Sequence, residues 1–137
     1  FISHDLPLVR YLCDTVVVLY QGQIMERGST PKVFASPTHP YTRMLIDTVP
    51  DPDPRIQRTR SHNVRPAEAE GTATGCPFAA RCSFATDICR AERPALRAMD
   101  LDGTQTVDVA CHHAEEIRRR HGQPSNMPAG DTPPPPR

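Results

Sequence analysis

The unequal spread of apolar side chains is what most limits how this chain can fold. Sixteen of its Leu, Ile, Val and Phe residues lie in positions 1–49, and only ten in positions 50–137. Burial of such side chains is the main term opposing the conformational entropy lost on folding. The first third can therefore supply part of a hydrophobic core, and the remainder builds little of one unaided. Proline sharpens the contrast, at 16 of 137 residues against a usual share of about 5%.

The same arithmetic excludes several classes. Sixteen basic and 16 acidic side chains give a formal charge of zero, so there is no electrostatic footprint for nucleic acid. The longest apolar run, Val16 to Leu19, suits a strand and falls far short of the roughly 20 residues of a membrane span. No basic-plus-apolar segment of the secretory type opens the chain. It begins at Phe1, inside what reads as a buried strand, which suggests the tail end of a longer protein.

Local signals are clear over the first third. Asp5 is placed to cap a short amphipathic helix over residues 6–13, with Pro7 in its first turn. Thr15 to Tyr20 is β-branched and apolar, which predicts a strand buried on both faces. Gln21-Gly22 makes a tight turn, Gln23 to Arg27 returns as a second strand, and Gly28 ends the hairpin. Thr30-Pro31 opens another helix with Val33 and Phe34 on its buried side. Two prolines interrupt residues 36–40, and Tyr41 to Val49 forms a further short helix. Beyond it, Pro50 to Pro54 reads as an extended linker and residues 55–75 as a mobile polar loop. The arginines and His62 of that loop read as solvated. A compact segment with cysteines fills 76–112, a charged helix follows from Ala114 to Arg120, and the tail from Gly122 to Arg137 is expected to be disordered.

Two groups of residues carry chemistry. Ser3-His4-Asp5 is not a catalytic triad, because triad members converge from separate elements. A histidine between a strand end and a capped helix either fills the turn or hydrogen-bonds an anion or water at the strand ends. The second group is Cys76, Cys82, Cys89 and Cys111, with Cys13 set apart as an ordinary buried thiol. Disulfides need an oxidising compartment, for which there is no sign. A zinc site is open, with His112 or His113 replacing one thiolate, although zinc motifs usually begin with a tighter C-x2–4-C knuckle. An iron–sulfur cluster tolerates the wider spacing. Plain packing of the thiols is the fourth reading.

The stretch Phe1-Ile2-Ser3-His4-Asp5-Leu6, followed by Cys13-Asp14 and the apolar hairpin from Val16 to Gly28, resembles the end of an ABC-transporter ATPase domain. The resemblance implies that His4 is the switch (H-loop) histidine, which contacts the γ-phosphate and helps hold the attacking water. Such chemistry rests on positioning and charge stabilisation. It also needs a Gly-x4-Gly-Lys-Ser/Thr loop, magnesium-binding carboxylates and a signature loop, none of which this sequence contains; its only lysine is Lys32. The 137 residues alone are therefore expected to be inactive towards ATP.

Pro37-Thr38-His39-Pro40-Tyr41-Thr42 resembles the opening of the C-terminal extension of oligopeptide and dipeptide importer ATPases, which nickel importers share. From the residues alone, His39-Pro40 makes a rigid turn and Tyr41 packs. The run from Gly75 to Cys82, with Cys89 and Val109-Ala110-Cys111-His112, is similar to the cysteine region of the same family. That similarity implies a 4Fe–4S cluster on Cys76, Cys82, Cys89 and Cys111, shielded by Phe78 and Phe84 and balanced by Arg81. Ligation would then substitute for missing core burial.

The implied fold class is α/β: the C-terminal edge of an ABC-type P-loop ATPase domain plus a small irregular extension carrying the cysteines. The implied boundaries are 1–29 for the ATPase end, 30–112 for the extension and 113–137 for the charged helix and tail. The implied function is coupling of ATP and magnesium binding and ATP hydrolysis to uptake of di- or oligopeptides. Its implied partners are a second ATPase subunit, two permease subunits and an extracytoplasmic peptide-binding protein, with the subunit on the cytoplasmic face of the bacterial inner membrane. The alternative is a non-enzymatic iron–sulfur or zinc-binding interaction module.

Overall fold

Asp5 does cap the first helix, α1 (Leu6–Leu12): its Oδ1 accepts from the Leu8 N–H at 3.0 Å, and Cys13 closes the far end through its N–H to the Val9 carbonyl. In the computed structural model, residues 1–49, 74–100, 103 and 106–121 are described. The expected linker at 50–54, nearly all of the expected loop at 55–75 and the proline-rich tail lie outside the described residues.

Strands β1 (Thr15–Tyr20) and β2 (Gln23–Ser29) form the expected antiparallel hairpin. Its turn needs two consecutive left-handed residues, supplied by Gln21 (φ 49°) and Gly22 (φ 74°). Two expectations need correction. First, β2 continues through Gly28 to Ser29 instead of ending at Arg27. A Cβ on Gly28 would stand 2.8 Å from Val107 Cγ1 and 3.2 Å from Val33 Cγ2, so the missing side chain lets two elements close over the strand. Second, β1 is not buried on both faces: Val18 is buried, while Val17 and Leu19 are 44% and 52% exposed.

Helix α2 (Thr30–Ala35) buries Val33 and Phe34, as their spacing requires. Helix α3 (Pro40–Asp47) starts one residue earlier than expected, because proline is tolerated in the first helical turn. Further on come a 3-10 turn (Ala79–Arg81), α4 (Asp87–Ala91), β3 (Arg97–Asp100), β4 (Thr106–Val109) and α5 (Ala114–His121).

The extension is not irregular as expected. Its two strands join the hairpin in one four-stranded antiparallel sheet of order β1-β2-β4-β3. Strand β4 pairs with β2 through Glu26↔Val109 and Arg27↔Asp108, and the Ala110 N–H continues the contact to the Met25 carbonyl at 2.9 Å. The fold is thus mixed α and β with an antiparallel sheet. One core holds Val18 and Val33 together with Met99, Val107, Val109, Ala114 and Ile117. The apolar residues that the extension lacks are borrowed from the hairpin.

Candidate functional site

A second cluster lies beyond the hairpin tip. Tyr20 from β1, Tyr41 from α3 and Phe78 from the segment before the 3-10 turn meet with ring centroids 4.7–5.4 Å apart, at tilted and edge-on angles favourable to aromatic quadrupoles. Cys76, Ala79 and Cys89 are buried against them. This trio fastens the cysteine segment to the hairpin.

A buried carboxylate makes the other fastening. Glu26 on β2 is fully buried, and its two oxygens accept from the backbone N–H groups of Thr38 (2.9 Å) and His39 (3.0 Å) just ahead of α3. Burial pushes its carboxyl above the usual range, and those N–H groups oppose the shift. His39 is 1% exposed. Its Nδ1 accepts from the Tyr41 N–H at 3.0 Å, so the ring caps α3 and its proton sits on Nε2. Burial lowers its pKa to about 4, partly offset by a hydrogen bond to the Ala110 backbone. Through its main-chain N–H and its neutral imidazole, His39 thus ties together β2, α3 and the residue preceding Cys111.

Cys76, Cys82, Cys89 and Cys111 all line one cavity, together with Phe78, Phe84 and the rings of His39, His112 and His113. The four thiols come from three separate places: the 3-10 turn, α4 and the end of β4. Burial raises Cys76, raises Cys82 to about 11 and raises Cys111 to about 12, with further increments from the neighbouring thiols. Partly opposing this are the backbone N–H groups of Phe78 and Ala79 at Cys76, Phe84 at Cys82 and His113 at Cys111. At neutral pH these thiols therefore keep their protons unless a cationic centre displaces them. Among the described residues, no group of three or more His, Cys, Asp or Glu is arranged to hold a single metal ion.

The family model for the oligopeptide/dipeptide transporter C-terminal region matches residues 25–89, from β2 through Cys89. The di/tripeptide transport ATP-binding protein DppF of Pseudomonas aeruginosa (strain UCBPP-PA14) is 42% identical over 124 residues, 85% of this chain and 35% of that protein. A peptide ABC transporter ATP-binding protein of Sinorhizobium fredii, so named as probable, is 41% identical over 132 residues, 93% of this chain and 35% of its own length. The chain belongs to the oligopeptide/dipeptide transporter ATP-binding family. It spans about a third of the length of these relatives.

Within this family frame the sequence-derived residues fall into three sets. The four cysteines are brought to one cavity, and Phe78 and Phe84 stand on its wall. Arg81 is not among the residues lining that cavity; it is half-buried in the 3-10 turn. His4 sits alone in an exposed bend ahead of α1, some way along the chain from the other candidates. Cys13 is half-buried as the C-cap of α1, less enclosed than expected. His112 lines the cavity, and its Nε2 lies 3.0 Å from the Glu92 carbonyl, to which it donates.

Sequence reading missed Glu26. A lone glutamate between Met25 and Arg27 looks like a solvent-facing strand residue, and only the two N–H groups arriving from residues 38 and 39 make its burial tolerable. It also missed the role of His39 as a joint. The available signal was the order His-Pro at a helix start, which leaves the imidazole free to cap.

Proposed function

We propose that this chain is the C-terminal part of an ATP-binding subunit that couples ATP hydrolysis to import of di- or oligopeptides. The observation carrying this reading is the continuous β1-β2-β4-β3 sheet, in which the hairpin and the extension share strands and core. The family match crosses the same junction, beginning in β2 and ending at Cys89. The unit boundaries are residues 1–29 for the ATPase end, 30–112 for the extension and 113 onward for the charged helix and tail.

In the whole protein His4 faces the γ-phosphate. Its position suits that role, because the Asp5 N–H donates to Ser3 Oγ at 3.0 Å and Asp5 caps α1. The bend is thereby held from both sides while the imidazole stays exposed. ATP and magnesium are held by residues outside this sequence, and the piece is inactive alone. The subunit works against a second ATPase and two permease subunits on the cytoplasmic face of the bacterial inner membrane, fed by an extracytoplasmic peptide-binding protein. No helix among the described residues is long and apolar enough to cross a membrane, in keeping with a peripheral subunit.

Cys76, Cys82, Cys89 and Cys111 would hold a 4Fe–4S cluster. Support comes from the donor set: four thiols around one cavity, three buried and that of Cys82 half-buried, N–H groups directed at three of them, and two phenylalanines on its wall. Sulfur-directed N–H donors and exclusion of water are what stabilise a thiolate-bound cluster. When bound, the cluster supplies a one-electron redox centre and a cross-link between the 3-10 turn, α4 and β4.

The test uses the full-length subunit with its permease partners, purified anaerobically. His4→Ala is expected to lower phosphate release at least 100-fold, the scale of losing one preorganised donor, with iron content unchanged. Wild-type hydrolysis that survives the substitution would sink the assignment of His4. Stoichiometric zinc in place of iron and sulfide would replace the cluster reading.

A further inference from the structure

The four sulfurs are not treated alike by the chain. Cys76, Cys82 and Cys111 each meet the N–H of the residue two positions on, namely Phe78, Phe84 and His113. Cys89 lies inside α4, where backbone N–H groups are directed along the helix. In a helix the Cα–Cβ bond leans towards the N-terminus, so the side chain of Cys89 covers the residue three positions before it. That residue is Thr86, the N-cap.

Thr86 does not behave as an N-cap threonine. Its side chain makes no capping bond, although such a bond contributes about 1 kcal/mol in other helices. Instead Oγ1 lies 2.8 Å from Nε2 of His113 and 3.7 Å from Sγ of Cys89. His113 approaches from the loop after β4, 27 positions away, with Glu116 Oε2 3.8 Å from its Nδ1. A ligated Cys89 carries no hydrogen, so in its contact with Thr86 the threonine O–H is the donor, and the threonine oxygen is left to accept from the Nε2–H tautomer of His113. One hydroxyl is therefore diverted from the helix end to the sulfur of Cys89.

We propose that Thr86, oriented by His113, is the side-chain hydrogen-bond donor to the Cys89 sulfur and sets the reduction potential of the centre bound there. This inference rests on the cluster reading above. A hydrogen bond to a ligating sulfur stabilises the more electron-rich, reduced state, so its removal lowers the potential. Thr86 is a positioning and tuning residue and not a ligand. It is also the donor of the set that substitution can remove, since the other three are main chain.

The experiment is a dithionite titration of the anaerobically purified full-length subunit, followed by electron paramagnetic resonance with iron and sulfide analysis. Thr86→Val is expected to keep wild-type iron and to lower the reduced-to-oxidised ratio at fixed ambient potential threefold to tenfold. That is roughly 30–60 mV for a one-electron couple at 59 mV per tenfold. Thr86→Ser retains the hydroxyl and is expected to match the wild type, and His113→Leu to shift the potential in the same direction by less. Equal potentials in wild type and Thr86→Val, with iron intact, overturn the tuning role and leave the cluster standing. A Thr86→Ser variant that behaves like Thr86→Val overturns it too, since the hydroxyl would then be irrelevant. A wild-type subunit without iron overturns both readings, and is distinguished by the metal analysis alone.

Discussion

The hairpin region, residues 1–49, and the cysteine region, residues 74–121, reach order by different routes. In the first, nearly every element is announced locally: a cap at Asp5, a left-handed pair at Gln21-Gly22, prolines in the first turns of α2 and α3. In the second, β3 and β4 have four residues each, and β4 is fixed by pairing with Glu26 and Arg27 of the hairpin. Short strands without a partner are unstable in water. The cysteine region is thus ordered by what it docks on, and the difference shows that a chain poor in apolar residues can complete its fold on another unit's sheet edge.

The joint between the regions is the place to break this comparison. Glu26→Ala removes the acceptor for two buried N–H groups, each costing about 1–3 kcal/mol when left unpaired. A destabilisation of about 4 kcal/mol is expected in urea unfolding, with the cysteine region losing hydrogen-exchange protection before β1 and β2. Protection lost equally in both regions would mean they do not differ in their dependence on the joint.

Acid acts on the same joint through His39. Its ring is neutral in the fold with a pKa of about 4, against 6.5 in the unfolded chain. The unfolded state then binds more protons between those values, so the stability contributed by His39 is full above pH 6.5 and is lost as pH falls towards 4. At 1.36 kcal/mol per unit this amounts to about 3 kcal/mol. Glu26, whose carboxyl is raised by burial, works in the opposite sense as it takes up a proton. The readout is therefore the stability gap between wild type and His39→Gln, which is expected to narrow by that amount between pH 7 and pH 4. A constant gap would show that the imidazole is not the buried neutral tie described.

The smallest effect is expected where the cysteine region is held by exposed charge. Arg97 on β3 reaches both oxygens of Glu115 on α5, at 2.6 and 2.7 Å, but the two side chains are 42% and 56% exposed. Arg97→Ala should cost less than about 1 kcal/mol and vanish at high salt. A larger loss would indicate that this pair, and not docking on β2, orders the extension.

The hairpin and the helix caps were legible because each rests on residues near in sequence, whereas the grouping of Cys111 with Cys76, Cys82 and Cys89 came from the family resemblance. Gln21-Gly22 can hardly do anything but turn, and Pro40 can hardly sit anywhere but at a helix start. The strands of the extension were not legible. Arg97-Ala98-Met99-Asp100 buries one side chain, so it carries no periodic signal, and its register follows from Val107 and Val109 across the gap. The contact between Thr86 and His113 was equally hidden, because nothing local links residues 27 positions apart.

By itself, the amino-acid order determined the apolar hairpin, the starts of three helices, the family and the four thiols, since propensity, turn geometry and motif spacing act over a few residues. Only the tertiary structure decided that the extension completes the sheet, that Glu26 is buried, and that Thr86 abandons its helix end for a sulfur. Each of those depends on a partner delivered from far along the chain. The energy of a buried polar group is set by that partner and not by its neighbours in sequence.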